Sequence, residues 1–234
     1  MEIKLTSYGA TEEVTGSCHL LNIDGYRILV DCGMYQGSWD NYVKNWDGFL
    51  FDPKNIDAVI LTHAHLDHCG RLPKLYAKGY NGPIYATGAT IDLAKIVLED
   101  SYFITNEKAF RKKMPKMYRQ ADVNKTMQSF VPLNYYQKQD LNPDISFKLH
   151  NAAHILGSSI VEIKAGNKTI VFSGDIGSED MPLVKDIDII KQADYVICEG
   201  TYGDRIHHDT KTRDKELIKA VQRATLNHST LLIA

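Results

Sequence analysis

Ala58-Val59-Ile60-Leu61 runs straight into Thr62-His63-Ala64-His65-Leu66-Asp67-His68. The first four residues are an apolar run of strand character, and a strand end holds the loop that follows it rigidly. Alternate residues leaving an extended segment point the same way, so His63 and His65 can converge on one ion. Asp67 and His68 lie further round the turn, where they can face a second ion beside the first. Imidazole nitrogens and a carboxylate suit zinc, with manganese or iron as lesser alternatives. The competing account is a polar loop with solvated histidines. Against it, three of the nine histidines in the chain fall within six positions.

The chain has 234 residues, enough for one large α/β domain, with 44% hydrophobic and 24% charged residues as in ordinary water-exposed globular folds. No apolar stretch is long enough to span a bilayer, and Met1-Glu2-Ile3-Lys4-Leu5-Thr6 lacks the apolar core of a secretory signal. Cys18, Cys32, Cys69 and Cys198 are scattered, with no CxxC pair, which argues against a disulfide framework or a cysteine-ligated structural zinc. A reducing cytoplasm is the expected compartment. The net charge of −2 gives no global attraction to nucleic acid. Locally, Lys108, Arg111, Lys112, Lys113, Lys116, Arg119 and Lys125 stand against Asp122 alone, interleaved with Phe110 and Tyr118. That segment is either a phosphate-contacting surface or a solvated helical face.

The first third reads as β, with strands over 2–7, 18–23 and 26–30 and a hairpin turn at Asp24-Gly25. A buried strand follows over 56–61, then a short helix over 72–78 closing at Gly79, and a strand over 83–86. Residues 91–103 carry apolar positions at helical spacing. The segment 104–130 is polar, basic and helical in pieces broken near Pro115. Strands return over 145–150, 158–164, 169–173 and 195–198. An amphipathic helix spans 209–226, and 229–234 begins one more strand. A chain stopping inside an apolar strand is expected to be the amino-terminal fragment of something longer.

Two ions need more ligands than one loop can supply. His154 lies in Ala152-Ala153-His154-Ile155-Leu156-Gly157-Ser158, a turn between two strands with small neighbours. Asp175 follows Ile170-Val171-Phe172-Ser173-Gly174, where a carboxylate can bridge two cations, and Asp31 ends the strand Arg27-Ile28-Leu29-Val30. Singly, each could be an ordinary turn residue. Together with the histidine loop they form a constellation at four strand ends.

His63-x-His65-x-Asp67-His68, His154, Asp175 and Asp31 resemble the motifs of the metallo-β-lactamase superfamily. Finer details resemble its β-CASP nucleic-acid-processing branch. These are Thr62 to Gly70 with Leu72-Pro73, then Ala153-His154-Ile155-Leu156-Gly157-Ser158, Gly174-Asp175, and Glu199-Gly200-Thr201-Tyr202-Gly203-Asp204. The last element is far more specific than the histidines, and the likeness covers essentially the whole chain. It resembles the amino-terminal portion of enzymes similar to the RNA-cleaving subunit of the eukaryotic pre-mRNA 3′-processing complex and its prokaryotic relatives.

The resemblance implies a four-layer αββα sandwich, incomplete at its carboxy terminus. Residues 1–234 would be the metallo-β-lactamase-type domain, with the β-CASP cap domain expected after residue 234. It implies that His63, His65 and His154 hold a first zinc, that Asp67 and His68 hold a second, and that Asp175 bridges them. Asp31 would orient a ligand, and Glu199 would act with a histidine from a later motif to protonate the leaving group. That histidine has no counterpart here, nor does the one that completes the second zinc site. The implied reaction is RNA phosphodiester cleavage by water activated between two zincs, with Asp67, Asp175 and Glu199 taking part. Alternatives are a hydrolase of a small thioester or other ester and a non-catalytic scaffold subunit. RNA is the expected partner, no membrane is involved, and a homodimer is compatible with the sequence. Cys69 reads as a packing residue rather than a ligand. Trp39 and Trp46 either fold over the cleft or cover the sheet edge, and His207 and His208 either touch substrate or are solvated.

Overall fold

A computed structural model of the chain describes residues 1–179, 183–206 and 210–233, leaving aside the side chains of 210, 211 and 213. The residues form two compact units, Met1–Glu199 and Gly200–Ala234.

In the first unit, six strands make one sheet in sequence order: β1 Ile3–Ser7, β2 His19–Ile23, β3 Tyr26–Val30, β4 Ala58–Ile60, β5 Ile84–Thr87 and β6 Phe130–Leu133. The first three pair antiparallel through the expected turn at Asp24-Gly25, and β3 to β6 run parallel. Parallel neighbours need crossovers. These are supplied by α1 Trp39–Val43, α2 Leu66–Cys69, α3 Leu72–Ala77, α4 Gly88–Arg111 and α5 Gln120–Gln128. A second sheet has β7 Gln139–Asn142, β8 Ile145–Asn151, β9 Ser159–Ala165, β10 Lys168–Phe172 and β11 Tyr195–Ile197, in the spatial order β11-β10-β9-β8-β7.

Side-chain alternation assigns each strand's two faces. Ile28, Val30 and Ile60 point toward Phe147, Leu149, Val161, Ile163 and Phe172, which makes the seam between the sheets. Leu29, Val59, Ile84 and Ala86 point the other way, onto Leu72, Leu75, Tyr76 and Leu98 of the helices. Burial on both faces is why β3 and β4 read as continuous apolar runs rather than alternating ones. On the outer face of the second sheet, Ile160 and Val171 are covered by Ile187, Ile190 and Ala193. The expected sandwich of two sheets with flanking helices is therefore observed, with one helical layer and both sheets in the first unit. The second unit contains α6 Thr210–Leu226.

The residue pattern singles out no strand between residues 131 and 144, the stretch that holds β7 and nearly all of β6. Both are sheet edges, where Pro132 and the polar run Gln139-Asp140-Leu141-Asn142 are tolerated because one side of the ladder is unpaired. The strand expected over 229–234 is absent from its described part, since residues 229–233 have no regular structure. An apolar run becomes a strand only where a neighbouring strand offers its backbone. Among the described residues, no helix is long and apolar enough to cross a membrane.

Candidate metal centre

The parallel strands β3 and β4 end side by side, and their following residues enter the same edge of the sandwich. His63 and His65 leave β4, and His65 is the residue at which α2 begins. From the second sheet, His154 enters in the turn between β8 and β9, and Asp175 follows β10 by three residues. The two sheets are tied here by the amide and hydroxyl of Ser159, which both donate to the carbonyl of Thr62 at 2.9 and 3.0 Å. Gly177 permits the close approach of the Asp175 loop to the His154 loop, because a Cβ there would sit 1.7 Å from the carbonyl oxygen of Ala153.

One ligand atom from each of His63, His65, His154 and Asp175 lies within 4.8 Å of all the others. His65 Nδ1 is 3.1 Å from His63 Nε2 and 3.0 Å from His154 Nε2. Asp175 Oδ2 is 3.7 Å from His63 Nε2 and 3.6 Å from His154 Nε2. A tetrahedral ion bound at about 2.0–2.1 Å separates its ligand atoms by roughly 3.4 Å, so the spacing fits a single divalent cation. The donor set fits as well: three imidazoles and a carboxylate, with no lysine or arginine paired to Asp175 among the described residues.

His68 adjoins this group through the other oxygen of Asp175, its Nε2 lying 3.2 Å from Oδ1. Its Nδ1 lies 2.7 Å from Asp31 Oδ2. Asp31 is buried and takes a positive φ of 61°, a conformation that Asp adopts more readily than most residues and that turns the carboxylate inward from the strand end. Its carboxylate also accepts the amide and hydroxyl of Thr62 at 2.8 and 2.9 Å. The Thr62 hydroxyl in turn lies 3.0 Å from His63 Nδ1. Thr62 thus links Asp31 to the rear of His63. The only sequence signal for Thr62 is its place immediately before the first histidine.

The electrostatics follow from packing. Burial, reinforced by the neighbouring His68, His65 and His154, holds His63 well below the ordinary imidazole pKa. Burial and His154 also lower His65, against the raising influence of Asp67 and Asp175. For His68 burial acts downward too, but the carboxylates of Asp31 and Asp175 on its two nitrogens outweigh it and push the pKa to about 10. Burial would raise Asp175, yet the hydrogen bond and charge of His68 bring it below the usual carboxylate range.

Asp67 lies in the first turn of α2, half-buried, and its carboxylate is outside the four-residue cluster though close enough to influence His65. Its backbone carbonyl accepts the Ser17 amide at 2.9 Å. Glu199 sits beside the Asp175 loop: its Oε1 accepts the Ile176 amide at 2.6 Å, and its own amide donates to Ser173 Oγ at 2.9 Å. Cys69 is buried, its thiol donating to the carbonyl of Ala64, in keeping with a packing role. Trp39 and Trp46 pack against the basic segment instead of the cleft, with the Trp46 indole N–H donating to the Pro115 carbonyl at 2.7 Å. His207 and His208 lie outside the described residues. A groove of about 520 Å³ opens beside His65 and His154, lined by Leu93, Val97, Ile155 and Leu156.

Comparison with known proteins agrees with this geometry. Residues 20–197 match the model of a metallo-β-lactamase superfamily domain. The chain is 40% identical over 231 residues to ribonuclease TTHA0252 of Thermus thermophilus, covering 99% of this chain and 51% of that protein. It is 32% identical to transcription termination factor FttA of Methanocaldococcus jannaschii, over 99% of this chain and 37% of that one. With Integrator complex subunit 11 of Danio rerio the identity is 33%, over 99% and 39%. The chain therefore spans about half, or less, of the length of the curated relatives it matches. The likeness to the β-CASP branch read from the motifs holds in these relatives. With three-quarters of its length matched and its histidines and aspartates gathered at one edge of a two-sheet sandwich, the chain belongs to the metallo-β-lactamase superfamily.

Proposed function

We propose that this chain is the metal-binding part of a hydrolase that cleaves RNA phosphodiester bonds. The observation that carries the reading is the convergence of His63, His65, His154 and Asp175 on one spot, in a chain whose relatives include a named ribonuclease. Two zinc ions are the proposed cofactors, the first on His63, His65 and His154 and the second on Asp67 and His68, with Asp175 shared between them. Bound zinc supplies an acidified water at neutral pH and neutralises charge gathering on the phosphoryl oxygens.

The chain's own residues orient and hold. The Asp31 carboxylate accepts a hydrogen bond from His68 Nδ1–H and so turns Nε2 toward Asp175. Thr62 braces both Asp31 and His63. Glu199 anchors the backbone one residue after Asp175, and its proposed part in protonating the leaving oxygen calls for a histidine from a later motif. The proposed architecture is a metallo-β-lactamase-type domain over residues 1–234 followed by a cap domain. A cytoplasmic location is part of the proposal, in keeping with cysteines that are all free.

One observation favours a second reading. The apolar groove beside His65 and His154 would also take the acyl portion of a small ester or thioester. Incubating the zinc-loaded longer protein, cap domain included, with labelled RNA and, separately, with a chromogenic thioester distinguishes the two. RNA cleavage abolished by Asp175→Ala, together with loss of zinc by elemental analysis, is the expected result. Thioester turnover without RNA cleavage would overturn the nuclease reading. Two zincs retained by Asp175→Ala would overturn the bridging assignment, and substoichiometric zinc in the unmodified protein would favour a scaffold.

A further inference from the structure

The basic segment after the middle of α4 takes no part in the metal centre, yet its charge is arranged. Its two arginines are neutralised locally, Arg111 by Glu107 at 2.5 Å and Arg119 by Asp122 at 3.4 Å. Five lysines, Lys108, Lys112, Lys113, Lys116 and Lys125, are exposed and make no ion pair among the described residues. Lys108 Nζ stands 4.1 Å from the ring centroid of Tyr42 and Lys112 Nζ 5.0 Å from that of Trp39. Between them on the helix, Phe110 is 86% exposed.

Unpaired ammonium groups repel one another, and an exposed phenyl ring loses the burial it would gain inside. Lys108, Lys112 and Lys125 rest on rings of the fold. Lys113, Lys116 and the exposed Phe110 ring add little to it, and a flexible polyanion with free aromatic faces would satisfy both kinds of group. Single-stranded RNA has phosphates for the lysines and unstacked bases for the ring, whereas duplex RNA hides its base faces. The surface also has a firm foundation. Met117, Tyr118 and Val123 form a small core with Met34, Trp46 and Leu66. The Met34 amide donates to the carbonyl of Leu66 at 2.9 Å, and Leu66 lies between His65 and Asp67 of the metal loop. RNA held there would rest on the same packed cluster that supports the histidines.

We propose that the lysine-rich surface formed by Lys108 to Lys116, with Phe110 as a stacking platform, binds the backbone of single-stranded RNA in addition to the metal centre. The inference rests on RNA being the substrate. It is tested on the full chain in EDTA, so that binding is read without cleavage, by fluorescence anisotropy with a labelled single-stranded RNA of about 30 nucleotides. Lys113 and Lys116 are exposed and pack on no aromatic ring, so Lys113→Glu with Lys116→Glu leaves the fold intact. This variant is expected to bind about tenfold more weakly near 0.1 M salt. Its log–log salt slope should flatten by roughly 1.4, two phosphate contacts at about 0.7 each. The paired arginine variants should bind as the unmodified chain does. Phe110→Ala should lose about fivefold or more with the salt slope unchanged. RNA binding unaltered in both the glutamate and Phe110→Ala variants would overturn the proposal, as would equally tight binding of polyglutamate, which would mark a surface for acidic protein. Cleavage absent from the zinc-loaded longer protein, cap domain included, with RNA binding intact would strike the nuclease reading and leave this surface standing. Unaltered binding alongside intact cleavage would strike the surface alone.

Discussion

The Nδ1 of His68 lies 2.7 Å from Oδ2 of Asp31, and both residues are buried behind the metal cluster. An acceptor at Nδ1 fixes the proton there and leaves Nε2 facing Asp175. Asp31→Asn keeps the size but can offer its NH2 group to Nδ1, which favours the wrong tautomer. Zinc affinity is expected to fall about 10–100-fold by chelator competition. Asp31→Ala also strands the amide and hydroxyl of Thr62 and should cost about 3–5 kcal/mol in urea denaturation. Unchanged zinc affinity in Asp31→Asn would show that the tautomer is held by something else.

Zinc binding should release a proton from His68. In EDTA-stripped protein its pKa is pushed up to about 10, so at pH 7 it is protonated between Asp31 and Asp175. Imidazole ligates only when unprotonated at the binding nitrogen. Calorimetric zinc titrations near pH 7 in buffers of differing ionisation enthalpy should therefore give heats that vary with the buffer. Heats independent of buffer would contradict this protonation state.

The stripped protein should also show a stability maximum near neutrality. His63 is held below the unfolded value of about 6.5, so the unfolded chain binds more protons at lower pH and stability falls on acidification below about 6.5. His68 is raised, so its contribution is complete below about 6.5 and is lost as pH climbs toward about 10. Thermal melting across pH 5–10 in EDTA should trace both limbs, and His68→Asn should flatten the alkaline one. A melting temperature rising steadily to pH 10 would refute the assignment for His68.

Glu199 has two separable jobs, anchoring the Ile176 amide and the proposed proton handling. Glutamine retains a carbonyl oxygen for the amide but cannot supply a proton. Glu199→Gln is expected to bind zinc normally while losing RNA cleavage in the longer protein, and Glu199→Ala should weaken zinc as well, by several-fold. Equal zinc loss in both variants would reject the anchoring role.

Gly177→Ala should weaken both fold and site, because its Cβ would meet the Ala153 carbonyl oxygen at 1.7 Å and backbone must move next to His154. A cost of about 1–3 kcal/mol is expected in denaturant titration, with weaker zinc binding. Gly48→Ala, where a Cβ meets nothing within 4 Å, serves as the control and should change stability by less than about 1 kcal/mol. Similar behaviour of the two variants would argue that the Asp175 and His154 loops are free to separate.

Much of this molecule can be read from residue order alone. The apolar run 58–61 followed by the histidine loop announces a buried strand with a ligand set at its end, because strand geometry is local and puts alternate side chains on one side. The edge strands β6 and β7 were hidden for a related reason: one open side admits Pro132 and polar residues, so their composition resembles loop. Residues 229–233 show the reverse error, since an apolar run says nothing of whether a partner strand stands beside it.

Residue identity and spacing thus determined the donor set: His63, His65, His154 and Asp175 carry the right atoms wherever the chain places them. Tertiary structure alone decided that atoms up to 112 positions apart, from His63 to Asp175, come within 4.8 Å of one another, and that Asp67 stands outside that group. It alone decided that Asp31 faces His68, that Thr62 braces them, and that Glu199 holds the Asp175 loop. The physical reason is that such contacts depend on how two sheets pack and where their strands end, and no local preference of the chain encodes the distance between two strand ends.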